Sequence, residues 1–179
     1  MDKIRIHDKE FELFIPADRI QDVVSDMAGK INNDLTGREV IFVGILNGAF
    51  MFAADLVRQI DLDCRITFLK LASYAGASST GTVNRLIGIN EEIHGLTVVI
   101  LEDIVDTGVT LEESYQQLKD YSPGEIKVAA LLLKPEAYVK KIPLDYVGIE
   151  IPNKFVVGYG LDYSGHARNL GDIYMEVTP

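Results

Sequence analysis

Apolar residues along this chain recur with two different periods, and the switches between them mark its elements. After Pro16, the residues Ile20, Val23, Val24, Met27 and Ile31 fall at helical spacing, and Gly37 follows that stretch. Val40-Ile41-Phe42-Val43-Gly44-Ile45-Leu46 is an apolar run that reads as a buried strand. Asn47-Gly48 signals a turn, and Phe52, Leu56 and Ile60 predict a second helix. Arg65 to Leu71 reads as another strand, and Ala75 to Thr82, rich in Gly, Ser and Thr, as a mobile loop. The second half repeats this rhythm. Leu96 to Leu101 reads as a strand covered on both faces, followed by a short acidic turn and a helix with Leu111, Leu118 and Tyr121 on one side. Pro123-Gly124 breaks that helix, and Ile126 to Leu133 forms the next strand. Tyr146 to Ile149, Phe155 to Tyr159 and Ile173 to Val177 are shorter strand candidates. Alternating strands and helices predict an α/β fold with a mainly parallel central sheet flanked by helices. No repeat or linker-like tract interrupts it, so residues 1–179 read as one domain. In such sheets ligands collect beyond the carboxyl ends of the strands.

One segment there carries chemistry: Val98-Val99-Ile100-Leu101-Glu102-Asp103-Ile104-Val105-Asp106-Thr107-Gly108-Val109-Thr110. An apolar run ends in two adjacent carboxylates, a third follows at Asp106, and Thr-Gly-x-Thr opens a helix. Thr107 and Thr110 supply hydroxyls, Gly108 allows close backbone approach, and free N–H groups at the helix start suit an anion. A helix terminus alone contributes only about 0.3–1 kcal/mol, but several charge-assisted hydrogen bonds of roughly 1.5–3 kcal/mol each can hold a phosphate. Three bare carboxylates would repel it. A sugar between them and the anion removes that conflict, and Mg2+ suits carboxylate, hydroxyl and phosphate oxygens alike. A ribose phosphate with Mg2+ satisfies the whole segment. The competing reading, solvated loop acids capping a helix, explains an isolated acidic pair but not the full pattern. A Walker loop is excluded by the missing Gly-Lys-Ser/Thr. The spacing of Asp103 and Asp106 counts against an aspartyl-phosphate phosphatase.

Composition narrows the partners. Lys plus Arg is 17 and Asp plus Glu 27, a net charge of −10, which argues against wrapping nucleic acid or lying on an anionic membrane. The single Cys64 excludes an intrachain disulfide, and His7, His94 and His166 lack metal-ligand spacing. The N-terminus has no signal-peptide core, and the Val40–Ala54 stretch is too short for a membrane span, so a cytoplasmic location is expected.

Leu101 to Thr110 resembles the phosphoribosyl-pyrophosphate signature of the type I phosphoribosyltransferases. Together with Ser73-Tyr74, Lys134 and Phe155-Val156-Val157-Gly158-Tyr159-Gly160-Leu161-Asp162-Tyr163, it resembles the hypoxanthine-guanine phosphoribosyltransferases from about Val40 to Leu170. The resemblance implies a type I core with a small hood built from chain-terminal segments. It implies ribose binding by Glu102 and Asp103, and a 5′-phosphate cradle from Thr107, Gly108, Val109 and Thr110. Asp106 would be the general base toward N7 of the purine. Lys134 would recognise the 6-oxo group, Phe155 would stack on the base, and the backbone at Val156 would read its far edge. Asn47, Gly48 and Arg168 would bind pyrophosphate, Asp162 would hold Mg2+ with Glu102 and Asp103 contributing indirectly, and Ser73-Tyr74 would belong to a closing lid. Taken singly, Lys134 and Arg168 read as surface cations, Phe155 as core, Asn47-Gly48 as a turn and Ser73-Tyr74 as a strand end.

The implied activity is purine salvage, with phosphoribosyl pyrophosphate and hypoxanthine or guanine as substrates, in a homodimer or homotetramer. Two departures stand out. Position 47 is Asn where some members carry Lys, and Pro135-Glu136-Ala137-Tyr138 lacks basic residues found there in some relatives. Two alternatives stay open: a phosphoribosyltransferase for another base, and an RNA-binding regulator on the same fold, which the net charge disfavours.

Overall fold

The apolar runs become neighbouring strands of one sheet in a computed structural model that describes residues 3–71 and 85–177. The elements are β1 (Lys3–Ile6), β2 (Lys9–Ile15), α1 (Ala17–Asp34), β3 (Val40–Ile45), α2 (Phe50–Val57), β4 (Cys64–Leu71) and β5 (Arg85–Ile87). They continue with β6 (Thr97–Val105), α3 (Val109–Lys119), β7 (Glu125–Leu133), β8 (Tyr146–Glu150), β9 (Val156–Val157) and β10 (Ile173–Glu176). The main sheet has the order β5-β4-β3-β6-β7-β8. Neighbours from β4 to β8 pair in parallel, and β5 is antiparallel at the edge.

Strand alternation sorts the core into two layers. Val40, Phe42, Val99, Leu101, Ala129 and Leu131 pack with α1 and α2, whereas Ile41, Val43, Val98, Ile100, Val128 and Ala130 pack with Leu111 and Leu118 of α3. Burial on both faces is why these strands are uninterrupted apolar runs. A second, antiparallel sheet, β1-β2-β10-β9, is built from the two chain-terminal segments around Phe11, Val157 and Tyr174. It is the expected hood.

Several expectations need correction. The acidic turn starts later than expected, at Asp106: β6 runs on past Leu101 to Val105, because β7 continues to pair with it, Glu102 opposite Ala130 and Ile104 opposite Leu132. Ile60 and Tyr121 lie beyond the ends of α2 and α3. Of Phe155–Tyr159 only Val156–Val157 is strand, since Gly158 and Tyr159 take φ of 101° and 50°. Val177 falls just past β10. The hairpin β1–β2 was not read from the sequence. Ala75–Thr82, Ser73 and Tyr74 lie outside the described residues.

The hood is fastened to the main layer where the chain leaves it. Pro16 precedes α1 and supplies no side-chain cap, but Asp172 Oδ1 accepts the Ala17 N–H at 2.7 Å. This bond caps the helix from the far end of the chain. Asp172→Ala is expected to lower stability by about 1 kcal/mol, as loss of a helix cap usually does. Urea titration reads it, and an unmoved midpoint would show that the bond contributes nothing.

Candidate active site

The carboxyl ends of β3, β6 and β7 bring the acidic segment, the Asn47-Gly48 turn and Lys134 to one place, and the hood supplies the opposite wall. A cavity of about 260 Å3 is lined by Gly48, Asp103, Ile104, Asp106, Lys134, Phe155, Val156, Leu161, Asp162 and Arg168. Beside it a smaller one, about 60 Å3, is formed by Glu102 and residues 104–111. A third, about 250 Å3, is lined by Ile45, Leu46, Asn47, Lys70, Leu71, Thr110, Glu113 and Arg168. Asp106, Thr110 and Arg168 each line two of the three, so the cavities adjoin. A larger groove of about 540 Å3 lies at the opposite end, before β3 and β4, away from where such sheets bind ligands.

The extension of β6 decides how the two adjacent acids are used. Consecutive strand residues face opposite sides. Glu102 therefore joins the cavity at the start of α3, and Asp103 joins the one with Asp162 and Arg168. Glu102 is only 5% exposed, and its Oε1 is buried without a hydrogen-bond partner. Burial pushes its carboxyl well above the usual range, and Asp103 adds to the shift. Burial also raises Asp103 to about 6, against backbone N–H bonds and Arg168 that lower it, with Asp162 raising it further. Asp103 lies hard against the turn: a Cβ on Gly48 would overlap its carboxylate.

Linkage fixes the sign of a stability prediction. Folded Asp103 keeps its proton up to about pH 6, whereas the unfolded chain releases it near pH ~4. The stability it contributes is complete below the lower value and is lost as pH rises through the upper one. Asp103→Asn should therefore gain stability relative to the parent between about pH 4 and about pH 7, read from urea midpoints. A gap between the two proteins that does not change with pH would contradict this.

At the start of α3, Gly108 has φ 85°, and a Cβ there would come within 2.5 Å of the Tyr138 ring and 2.9 Å of Lys140 Cγ. Glycine is required on both counts. Gly108 at the N-cap has no side chain to offer, Thr107 Oγ1 accepts the Val109 N–H at a long 3.5 Å, and the helix start lines the Thr107–Thr110 cavity, the geometry of an anion site. In the larger cavity, Lys134 Nζ donates to Asp106 Oδ2 at 2.6 Å; the lysine side chain is 8% exposed and the aspartate 45%. Arg168 pairs with Asp162 Oδ1 at 2.6 Å and donates to the Gly160 carbonyl, while Asp162 Oδ2 accepts the Gly165 N–H at 2.7 Å. Phe155 presents a 38% exposed ring.

Every candidate residue within the described part of the chain thus lines one of three adjoining cavities. Ile104, Leu161 and Lys70 line them as well and were not singled out from the sequence. Ile104 lies inside the acidic segment and Leu161 inside the Phe155–Tyr163 run, so both motifs already contained them; Lys70 had no comparable signal.

A family model for the phosphoribosyl transferase domain matches residues 16–164. The chain belongs to the phosphoribosyltransferase family, in its hypoxanthine-guanine branch with the type I fold, and is an enzyme. It is 38% identical over 160 residues to the hypoxanthine-guanine phosphoribosyltransferase of Streptococcus pneumoniae, spanning 89% of each chain. With that of Aquifex aeolicus it shares 36% over 172 residues, 95% of this chain and 97% of the other. A crystal structure of a hypoxanthine-guanine phosphoribosyltransferase from Bacillus anthracis aligns with TM-score 0.85 and 36% identity, over 93% of this chain and 97% of that one. A hypoxanthine phosphoribosyltransferase from Staphylococcus aureus aligns with TM-score 0.86 and 35% identity, over 93% and 91%. Among the described residues no helix is long and apolar enough to cross a membrane.

Proposed function

We propose that this enzyme is a Mg2+-dependent purine salvage transferase of one domain, residues 1–179, working in the cytoplasm. It moves the phosphoribosyl group of phosphoribosyl pyrophosphate to N9 of hypoxanthine, and of guanine, giving IMP or GMP and pyrophosphate. The observation that carries this reading is the Lys134–Asp106 pair beside the Phe155 ring, in a cavity adjoining the start of α3.

The base stacks on Phe155 with its far edge at the Val156 backbone, and its 6-oxo oxygen accepts from Lys134 Nζ. Asp106 then lies on the same side of the ring as N7 and takes the N7 proton while N9 attacks C1′. Thr107, Gly108, Val109 and Thr110 hold the 5′-phosphate, and Glu102 and Asp103 accept from the ribose hydroxyls. The orphaned Glu102 oxygen supports this, since a buried acceptor of that kind calls for a donor. Arg168, Asn47 and Gly48 receive the departing pyrophosphate. Ser73 and Tyr74 belong to the lid that excludes water from the cationic sugar.

The residues present fit Mg2+. Asp103 and Asp162 line the same cavity wall and offer hard oxygens, which suits a cation bound through one or two carboxylates and substrate phosphates. Asp162 would hold it, with Glu102 and Asp103 contributing through the ribose. When bound, the ion neutralises charge on pyrophosphate. Assembly as a homodimer or homotetramer follows from the family resemblance. Nucleic acid and membranes are not among the proposed partners.

A base panel tests the substrate class: hypoxanthine, guanine, xanthine, adenine and uracil, each with phosphoribosyl pyrophosphate and Mg2+. The 6-oxopurines should turn over ahead of adenine, which offers an amino group to Lys134, and ahead of uracil. Preference for adenine or uracil would overturn the assignment of Lys134.

A further inference from the structure

The Phe155 ring forms a wall of the base cavity, but Lys9, Phe11 and Tyr163, which touch the ring, do not line that cavity. They back the platform from the hood. Lys9 Nζ lies 5.2 Å from the Phe155 ring centroid and 5.3 Å from that of Tyr163. The same ammonium pairs with Glu176 Oε1 at 2.7 Å. Glu176 in turn donates its backbone N–H to the Phe155 carbonyl at 2.9 Å. One residue of β10 therefore fixes the main chain of Phe155 directly and holds, through its side chain, the cation that rests against the ring. Tyr163, edge-on to Phe155 at 5.8 Å, donates its hydroxyl to Asp8 Oδ1 at 2.7 Å, so Asp8 of the β1–β2 turn and Lys9 at the start of β2 both hold the platform.

We infer that Lys9 is a positioning residue for the purine, holding the Phe155 ring in its stacking orientation before the base arrives. The inference rests on the reading of Phe155 as the base platform. A half-exposed aromatic ring that must be ordered on binding weakens the complex, and ordering it beforehand removes that loss. A cation against the rear of the ring does this without occupying the base cavity. The ion pair is partly open to water, its side chains 33% and 26% exposed, so it contributes modestly to folding. Its effect belongs to base binding.

Lys9→Met in the intact enzyme is expected to raise the KM for hypoxanthine about 2–5-fold, the scale of an exposed cation–π contact. The kcat, the KM for phosphoribosyl pyrophosphate and the melting temperature should stay near the parent values. Lys9→Arg, which keeps the cation, should restore the hypoxanthine KM. In a Phe155→Leu background the Lys9→Met change should have no further effect, because the ring it acts through is gone. An unchanged KM for hypoxanthine in Lys9→Met would overturn the inference. So would a rise of equal size in the Phe155→Leu background, or an equal rise in the KM for phosphoribosyl pyrophosphate. A parent enzyme that turns over no base would overturn the functional reading of the site, and this inference with it.

Discussion

Asp106→Asn should lower kcat by about 10²–10⁴-fold, the usual contribution of a positioned general base, while IMP still binds. Asparagine keeps the size of the side chain and an oxygen that can accept from Lys134, but it cannot take a proton. Of the three acids in the segment, Asp106 is the one suited to proton transfer. Glu102 is buried in the wall of the cavity at the start of α3, and Asp103 is pressed against the Gly48 turn. Asp106 is nearly half exposed and is oriented by an ammonium at 2.6 Å. Single-turnover rates together with the IMP dissociation constant separate chemistry from binding. Unchanged turnover would remove Asp106 from the mechanism.

Lys134→Met should reduce kcat/KM for hypoxanthine by roughly 10–150-fold, the loss of one charged hydrogen bond of about 1.5–3 kcal/mol. Its effect on stability should be small. Removing one member of a buried ion pair is destabilising when it strands the other charge in the interior, but here only the lysine is buried and methionine fills its place. The partner left behind, Asp106, is exposed enough to be solvated. A fall in activity accompanied by an equal loss of folded protein would assign Lys134 a structural role. A kcat/KM within twofold of the parent would remove it from base recognition.

The parallel core was legible because strands buried on both faces leave no polar interruptions: Val40–Ile45 and Val98–Leu101 announce themselves. The same reasoning failed where β6 continues. Two carboxylates look like the beginning of a loop, yet pairing with β7 extends through them and turns Glu102 into a buried acid. The hairpin β1–β2 does alternate apolar and polar residues, with Ile4, Ile6, Phe11 and Leu13 on its packed side, but the His7 turn takes a φ of 54° that no glycine signalled. Motif residues close in sequence do share one neighbourhood, around three adjoining cavities. Pairs remote in sequence, such as Lys9 with Glu176 and Ala17 with Asp172, depend on the two chain ends meeting in the hood, which no local pattern encodes.

The Asp162–Arg168 pair shows the same limit at shorter range. The connecting turn passes through left-handed backbone at Ser164, Gly165 and Ala167, and that path returns the guanidinium to the carboxylate. Arg168 then reaches both the base cavity and the one lined by Asn47 and Lys70. A residue that reads as a surface cation near the chain end becomes the wall shared by two cavities.

The measurement that tests the central claim most directly is a quenched assay of the purified enzyme with hypoxanthine, phosphoribosyl pyrophosphate and Mg2+, following nucleotide and pyrophosphate together. IMP and pyrophosphate should appear in equal amounts, and EDTA should stop both. Binding of IMP or phosphoribosyl pyrophosphate with no turnover of any base would contradict catalysis by this site and favour a nucleotide-sensing role for the same fold.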